Sequence, residues 1–169
     1  MDKPKLVAQL HAIACPLGYQ HKGGLFWKTG SELTTLIDLQ RSRWGRGVYV
    51  NFGVTPNAIV TRAYPLSVEY WARQMRAESA DSPFRDQFAA LVMDDEDLMP
   101  PEDMADEFRW LLAWIENHYG DAAVVRKDTL DQYPDSWGLL IDWARGTLRE
   151  PSSYFEDAPY YRAQQGSRE

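Results

Sequence analysis

The stretch from Leu33 to Val54 constrains the fold more than any other part of this chain. It reads LTTLIDLQRSRWGRGVYVNFGV. Successive side chains of a β-strand point to opposite faces, and apolar residues occupy alternate positions on both sides of the Trp-Gly-Arg-Gly turn. The alternating set is Leu33, Thr35, Ile37 and Leu39 in the first strand and Val48, Val50, Phe52 and Val54 in the second. We therefore predict a β-hairpin with one face against a core.

The other face of this hairpin is polar and is the first candidate for a binding site. If both apolar sets feed one core, Asp38, Gln40, Ser42, Tyr49 and Asn51 gather on the opposite face. Arg41 and Arg43 follow Leu39 at the same alternate positions as the apolar residues, so we expect their charged ends to emerge at the sheet edge. Gly45 and Gly47 supply the φ freedom that a short loop needs. The candidate binding residues are Gln40, Arg41, Ser42, Arg43, Trp44, Tyr49 and Asn51.

The same hairpin carries a family resemblance. The segments LQRSRWG at 39–45 and YVNFGV at 49–54 resemble a bacterial family catalogued as domain of unknown function 4304. Upstream, LGY at 17–19 and KGGLFW at 22–27 are similar to the opening of that family, L-G-F-x-x-K-G-x-x-F, with Tyr19 in the aromatic place. The resemblance covers the first half of the chain and fades from Ser67 onward. It implies an α+β fold and a bacterial origin, and it brings no activity with it.

Periodicity elsewhere places helices before and after the strands. Asp2 to Ala14 has an apolar stripe at helical spacing, 17–24 reads as a turn region, and Leu25 to Thr29 reads as a short strand. Ile59 to Thr61 can form an edge strand, and 66–77 fits either a strand or a helix, of which we favour the strand. The expected fold class is α+β, with an antiparallel meander sheet of three to five strands covered on one face by helices.

The second half of the sequence is mainly helical. Helices are predicted at 82–93, from Pro100 to Gly120, and from a Ser136 cap to Gly146. Between them, 122–125 is a short apolar piece of uncertain type, and 127–133 suggests one helical turn. The chain length favours one domain over 1–149, with a C-terminal tail at 150–169 that is partly disordered.

Composition excludes several classes of protein. A single cysteine, Cys15, rules out an internal disulfide framework and a multi-cysteine metal site. No apolar run approaches the roughly 20 residues of a membrane span, and no signal peptide opens the chain, so we expect a cytoplasmic protein without membrane contact.

Candidate catalytic groups are scattered in the sequence. His11, His21 and His118 read as isolated residues, and Cys15 reads as a small buried thiol. The acidic run at 94–97 lacks the spacing of a calcium-binding loop. We therefore expect no catalytic residue, no metal and no cofactor.

Charge is distributed unevenly along the chain. Residues 1–77 carry ten Lys and Arg against four Asp and Glu, whereas residues 78–121 carry two against thirteen, in a chain with a net charge of −7. Because the chain is acidic overall, we expect no nucleic-acid partner, although Arg41, Arg43 and Trp44 are residue types that contact bases and phosphates. A basic protein partner fits the acidic half, through Asp94, Asp95, Glu96, Asp97 and the acids of the 102–119 helix.

Two functions from different classes fit the sequence. The first is a non-enzymatic protein-interaction module, such as an immunity-type protein that neutralises a toxin. The second is a domain that binds a small ligand or nucleotide, with or without catalysis, on the polar face of the hairpin. A flat sheet or an acidic helix surface favours the first, and a deep pocket on the polar face favours the second.

Overall fold

The fold was obtained as a computed structural model that describes residues 2–43, 45, 47–59, 73–79, 83–92, 102–132 and 139–148. Within these residues, five antiparallel strands form one sheet in sequence order, which confirms the predicted α+β meander. The strands are β1 (Gln20–Lys22), β2 (Leu25–Thr29), β3 (Leu33–Arg41), β4 (Val48–Pro56) and β5 (Arg73–Arg76). The helices are α1 (Lys3–Ala14), α2 (Arg85–Val92), α3 (Ala105–Tyr119), α4 (Ala122–Gln132) and α5 (Leu139–Arg145).

The central hairpin of β3 and β4 has the predicted facing. Ile37 pairs with Phe52 and Leu39 pairs with Val50, while Asp38 pairs with Asn51 on the opposite face. All four apolar members of these pairs are buried in the core. Because paired residues of an antiparallel ladder point to the same side, the alternation in the sequence fixes which side chains enter the core.

Helix α1 begins and ends where the sequence predicts. The Asp2 carboxylate caps the helix by accepting a hydrogen bond from the Lys5 amide at 3.0 Å, and Pro4 occupies the first turn, where no amide hydrogen bond is lost. Leu6, Leu10 and Ala14 are buried. Beyond the helix, Gly18 turns the chain back with φ of 89°, a value that side chains other than glycine rarely adopt.

Helix α3 supplies the largest share of the helical core. Its buried residues include the predicted stripe of Phe108, Leu111, Leu112, Ile115 and Tyr119. Trp114 packs edge-on against Phe52 with ring centroids 5.4 Å apart, which joins the helix to the hairpin. Gln9 of α1 fastens the start of α3, because its side-chain amide donates to the Glu102 carbonyl at 3.0 Å and accepts from the Met104 amide at 3.3 Å.

The structure differs from the sequence prediction at several places. Helix α3 begins at Ala105 rather than at Pro100, since residues 102–104 are not helical. The turn region at 17–24 contains strand β1, whose residues are all exposed and form no apolar pattern. Residues 122–132 form a single helix, α4, where the pattern indicated an apolar piece and a separate turn. The polar face of the hairpin is also buried along its centre, since Thr34, Leu36, Asn51 and Thr55 are at most 2% exposed.

Other predicted elements lie partly within the described residues. Strand β5 occupies 73–76 of the ambiguous 66–77 stretch, and Ile59 lies in a turn. Residues 60–72, the acidic run at 94–97, the Ser136 cap and the tail at 150–169 lie outside the described residues. Among the helices that are described, none is long and apolar enough to cross a bilayer.

Candidate functional site

The polar face of the hairpin holds two of the predicted binding residues in contact with each other. The side-chain amide of Asn51 donates to the Gln40 carbonyl oxygen at 3.0 Å. Asn51 is buried, at 1% exposure, whereas Gln40 is exposed. A buried amide needs hydrogen-bond partners, so Gln40 acts as a partner for Asn51 across the two strands.

The neighbouring polar residues are also engaged. Tyr49 is half-buried, and the Arg76 guanidinium lies over its ring, 4.2 Å from the centroid. Burial raises the pKa of the Asp38 carboxyl, and the Lys3 ammonium opposes that shift. The Ser42 amide donates to the Gly47 carbonyl at 2.8 Å and closes the hairpin loop.

The remaining predicted site residues lie only partly within the described residues. Arg41 and Arg43 are exposed next to the hairpin loop. Trp44 and the acidic residues Asp94, Asp95, Glu96 and Asp97 lie outside the described residues, so their role stays a prediction.

A cleft of about 360 Å³ opens at the other end of the sheet. It lies between the connection of β2 to β3 and the junction of α3 with α4. Three carboxylates from two parts of the chain line it, namely Glu32, Glu116 and Asp121. Glu116 and Asp121 come from the end of α3 and the residue before α4, and Glu32 comes from the β2–β3 connection, so the sequence could not reveal that Glu32 joins the other two. We call this feature the acidic cleft.

Hydroxyl groups and one lysine also line the acidic cleft. The Thr35 hydroxyl lies 3.3 Å from the Tyr19 phenol oxygen, and both residues line the cleft. Burial of the Tyr19 phenol raises its pKa, the Thr35 hydrogen bond lowers it, and the Glu116 carboxylate raises it further. Lys28 Nζ lies 5.9 Å from the centroid of the Tyr19 ring.

The carboxylates of the acidic cleft are accessible to a ligand. Glu116 Oε1 lies 3.5 Å from Lys28 Nζ, yet its side chain is 72% exposed. Glu32 Oε1 lies 3.6 Å from Arg126 Nη2, with its side chain 60% exposed. Asp121 is exposed and caps α4 by accepting a hydrogen bond from the Ala123 amide at 2.8 Å. Solvent-exposed ion pairs with N–O distances near 3.5 Å contribute little to stability. A cation from a partner can therefore replace Lys28 or Arg126 beside these carboxylates.

A second cluster of side chains was missed by the sequence reasoning. His11, Cys15 and His21 each offer one ligand atom, and these atoms all lie within 4.8 Å of one another. The view that His11 and His21 are isolated is therefore wrong. Cys15 is half-buried, although a buried thiol was expected. The sequence did contain a signal for part of this cluster. His11 and Cys15 are four residues apart at the end of a predicted helix, and residues at that spacing share a helix face.

The described residues define a small α+β protein with a five-stranded antiparallel meander and five helices. The family described as Domain of unknown function (DUF4304) matches residues 10–109, and the chain belongs to that family. This result confirms the resemblance seen in the hairpin. Searches of curated proteins and of solved structures found no match.

Proposed function

We propose that this protein is a non-enzymatic interaction module that binds a basic protein partner at the acidic cleft. In this role it acts as an immunity-type protein, which neutralises a toxin by occupying its basic surface. The observation that carries the proposal is the convergence of Glu32, Glu116 and Asp121 on one cleft.

The dimensions and the chemistry of the acidic cleft suit a lysine or arginine side chain from a partner. Carboxylates accept charge-assisted hydrogen bonds from both groups, and arginine can do so with two bonds at once. The Tyr19 and Thr35 hydroxyls add neutral acceptors beside the carboxylates. Exposed acids away from the cleft, among them Asp103 and Asp106 at the start of α3, contribute to the net charge of −7, and a negative net charge favours attraction of a basic partner over longer distances.

The polar face of the hairpin supports a ligand site less well. Its buried amide, Asn51, already has Gln40 as a partner, and Arg76 stacks on Tyr49. These contacts favour a structural role for that face. We therefore favour partner binding at the acidic cleft over the alternative, in which the polar face of the hairpin binds a nucleotide or small ligand.

The proposal can be tested by affinity capture followed by co-expression. Tagged protein is used to capture partners from the organism that encodes the chain, in parallel with a variant that carries Glu32→Lys, Glu116→Lys and Asp121→Lys. A matched control, Asp86→Lys, reverses an exposed acid on α2 outside the cleft.

We expect a basic partner that is retained by the parent and by Asp86→Lys, and that is lost from the triple variant. If that partner is toxic when produced alone, co-expression of the parent restores growth and co-expression of the triple variant does not. Equal capture by the triple variant, or equal protection from toxicity, would contradict the assignment of the acidic cleft. A small cationic metabolite in place of a protein would contradict the interaction module.

A further inference from the structure

His11 and Cys15 form a pair of potential metal ligands at the end of α1. The Cys15 amide donates to the His11 carbonyl, which continues the helical hydrogen-bond pattern by one residue. Residues four apart in a helix lie one above the other on the same face. Two ligands at this spacing on a helix are a recurrent element of zinc sites, because both can reach one ion without a change of backbone.

The return of the chain through Gly18 brings a third ligand to the same place. The left-handed conformation of Gly18 reverses the chain after α1, and β1 then pairs with β2 so that His21 lies opposite Phe26. The His21 ring stacks on Phe26 with centroids 5.2 Å apart. It also meets the His11 ring edge-on, with centroids 4.6 Å apart. The His21 ring thus rests on a core residue and lies beside His11.

We propose that His11, Cys15 and His21 bind one Zn²⁺ ion. Two imidazole nitrogens and one thiolate are ligands that zinc prefers, whereas calcium and magnesium prefer oxygen ligands. In a tetrahedral site with metal–ligand bonds of about 2.0–2.3 Å, ligand atoms lie about 3.3–3.8 Å apart. The three atoms, now within 4.8 Å of one another, reach that spacing through small side-chain rotations.

The proposed site has three protein ligands, which leaves one coordination position for water or for a group from outside the chain. Both histidines are exposed, so that position is open to solvent. Binding would also fasten β1 to α1. Strand β1 lies at the edge of the sheet, and its three residues are all exposed. A metal bridge gives this edge strand a second attachment in addition to its ladder with β2.

The test uses the full chain under reducing conditions with Zn²⁺ as the only added ligand. We expect one ion per chain, measured by calorimetry and by competition with a chromophoric chelator, with a Kd of about 1 μM or tighter. Loss of a second-shell partner commonly lowers metal affinity 10–100-fold. Replacing a ligand, as in His11→Gln, Cys15→Ser or His21→Gln, should therefore weaken binding by about 100-fold or more.

His118→Gln is the matched control, because His118 is an exposed histidine on α3 outside this cluster. It should bind zinc as the parent does. Circular dichroism and thermal unfolding without metal establish that each variant is folded. Co²⁺ provides an independent readout, because a thiolate–cobalt charge-transfer band is expected in the parent and in His118→Gln, and is expected to be absent in Cys15→Ser.

Hydrogen exchange adds a readout of the attachment of β1. Zinc should slow exchange of the amides of β1 in the parent and leave it unchanged in His21→Gln. The proposal is overturned if the parent binds less than one zinc per chain at about 100 μM metal. It is also overturned if the three ligand variants retain the affinity of the parent, or if His118→Gln loses as much affinity as they do.

Discussion

Replacing Phe52 with alanine tests the packing on which the fold depends. The Phe52 side chain is fully buried, pairs with Ile37 across the hairpin, and contacts the edge of Trp114 on α3. It therefore lies where the sheet meets its main helix. Removing the ring leaves a cavity, because the pairing register fixes the strand and the other buried residues of α3 hold the helix in place.

The expected loss is about 3–5 kcal/mol in the free energy of unfolding, the range for phenylalanine-to-alanine changes in well-packed cores. The contact with Trp114 places this substitution toward the upper part of that range, because aromatic pairs contribute about 0.5–1.5 kcal/mol beyond their buried area. For a chain of this size, each kcal/mol lowers the melting temperature by about 2–4 °C. The melting temperature should fall by about 6–20 °C.

Urea unfolding followed by tryptophan fluorescence and by circular dichroism measures this loss. Val124→Ala is the control, since Val124 is 45% exposed on α4, and such a surface change should shift stability by less than about 0.5 kcal/mol. A loss below about 1 kcal/mol for Phe52→Ala would refute the facing of the hairpin and the contact with α3 together.

Three further substitutions test individual contacts. Asn51→Ala should cost about 1–3 kcal/mol in urea unfolding because its buried amide bonds Gln40, whereas Gln40→Ala should cost less because water can replace an exposed side chain; if neither variant loses stability, the polar face is not structural. Gly47→Ala should destabilise by about 1–3 kcal/mol, because a Cβ would lie 2.3 Å from the Val92 carbonyl oxygen; an unchanged urea midpoint would show that α2 does not lie against the hairpin loop. Glu78 has a buried carboxylate oxygen without a hydrogen bond among the described residues, and burial raises its pKa above the ordinary value of 4.5. The protonated Glu78 carboxyl therefore stabilises the fold below pH 4.5, and this stability is lost as pH rises through the raised pKa. In thermal unfolding, Glu78→Gln should be as stable as the parent at low pH and more stable than the parent at neutral pH. Equal stability of the two proteins at neutral pH would contradict this prediction.

The sequence predicted those elements whose side chains divide clearly between core and solvent. The hairpin alternates apolar and polar residues, so Phe52 and Asn51 were assigned to opposite faces, as the register shows. The apolar stripe and the Gly120 end of α3 were equally informative. The predicted capping residue of α1, Asp2, makes the expected hydrogen bond. In each case a local pattern reports directly on burial.

Elements that bury little of their own surface carried no such signal. Strand β1 is Gln-His-Lys, and hydrogen bonds to β2 rather than apolar contacts make it a strand. Helix α4 buries only Ala122, Val125 and Thr129 among its residues, which is too narrow a stripe to distinguish a helix from a loop.

The candidate sites depend on contacts between distant parts of the chain. Glu32, Glu116 and Asp121 meet only because the β2–β3 connection lies beside the end of α3. His21 reaches His11 and Cys15 only because Gly18 reverses the chain and β1 joins the sheet. The acidic bias of residues 78–121 predicts a basic partner, but a local pattern could not locate the cleft.

The most direct test of the proposed function is the rate at which the captured partner associates with the acidic cleft at different salt concentrations. Stopped-flow measurements compare the parent with a variant carrying Glu32→Gln, Glu116→Gln and Asp121→Asn, and with the control Asp86→Asn. Electrostatic attraction raises association rates by about 10-fold or more at low salt and is screened over about 10 Å at 0.1 M salt. The triple variant should associate about 10-fold more slowly than the parent at low salt and show a weaker salt dependence, whereas Asp86→Asn keeps the rate and the salt dependence of the parent. Equal rates for parent and triple variant at about 0.01 M salt would contradict binding of a basic partner at this cleft.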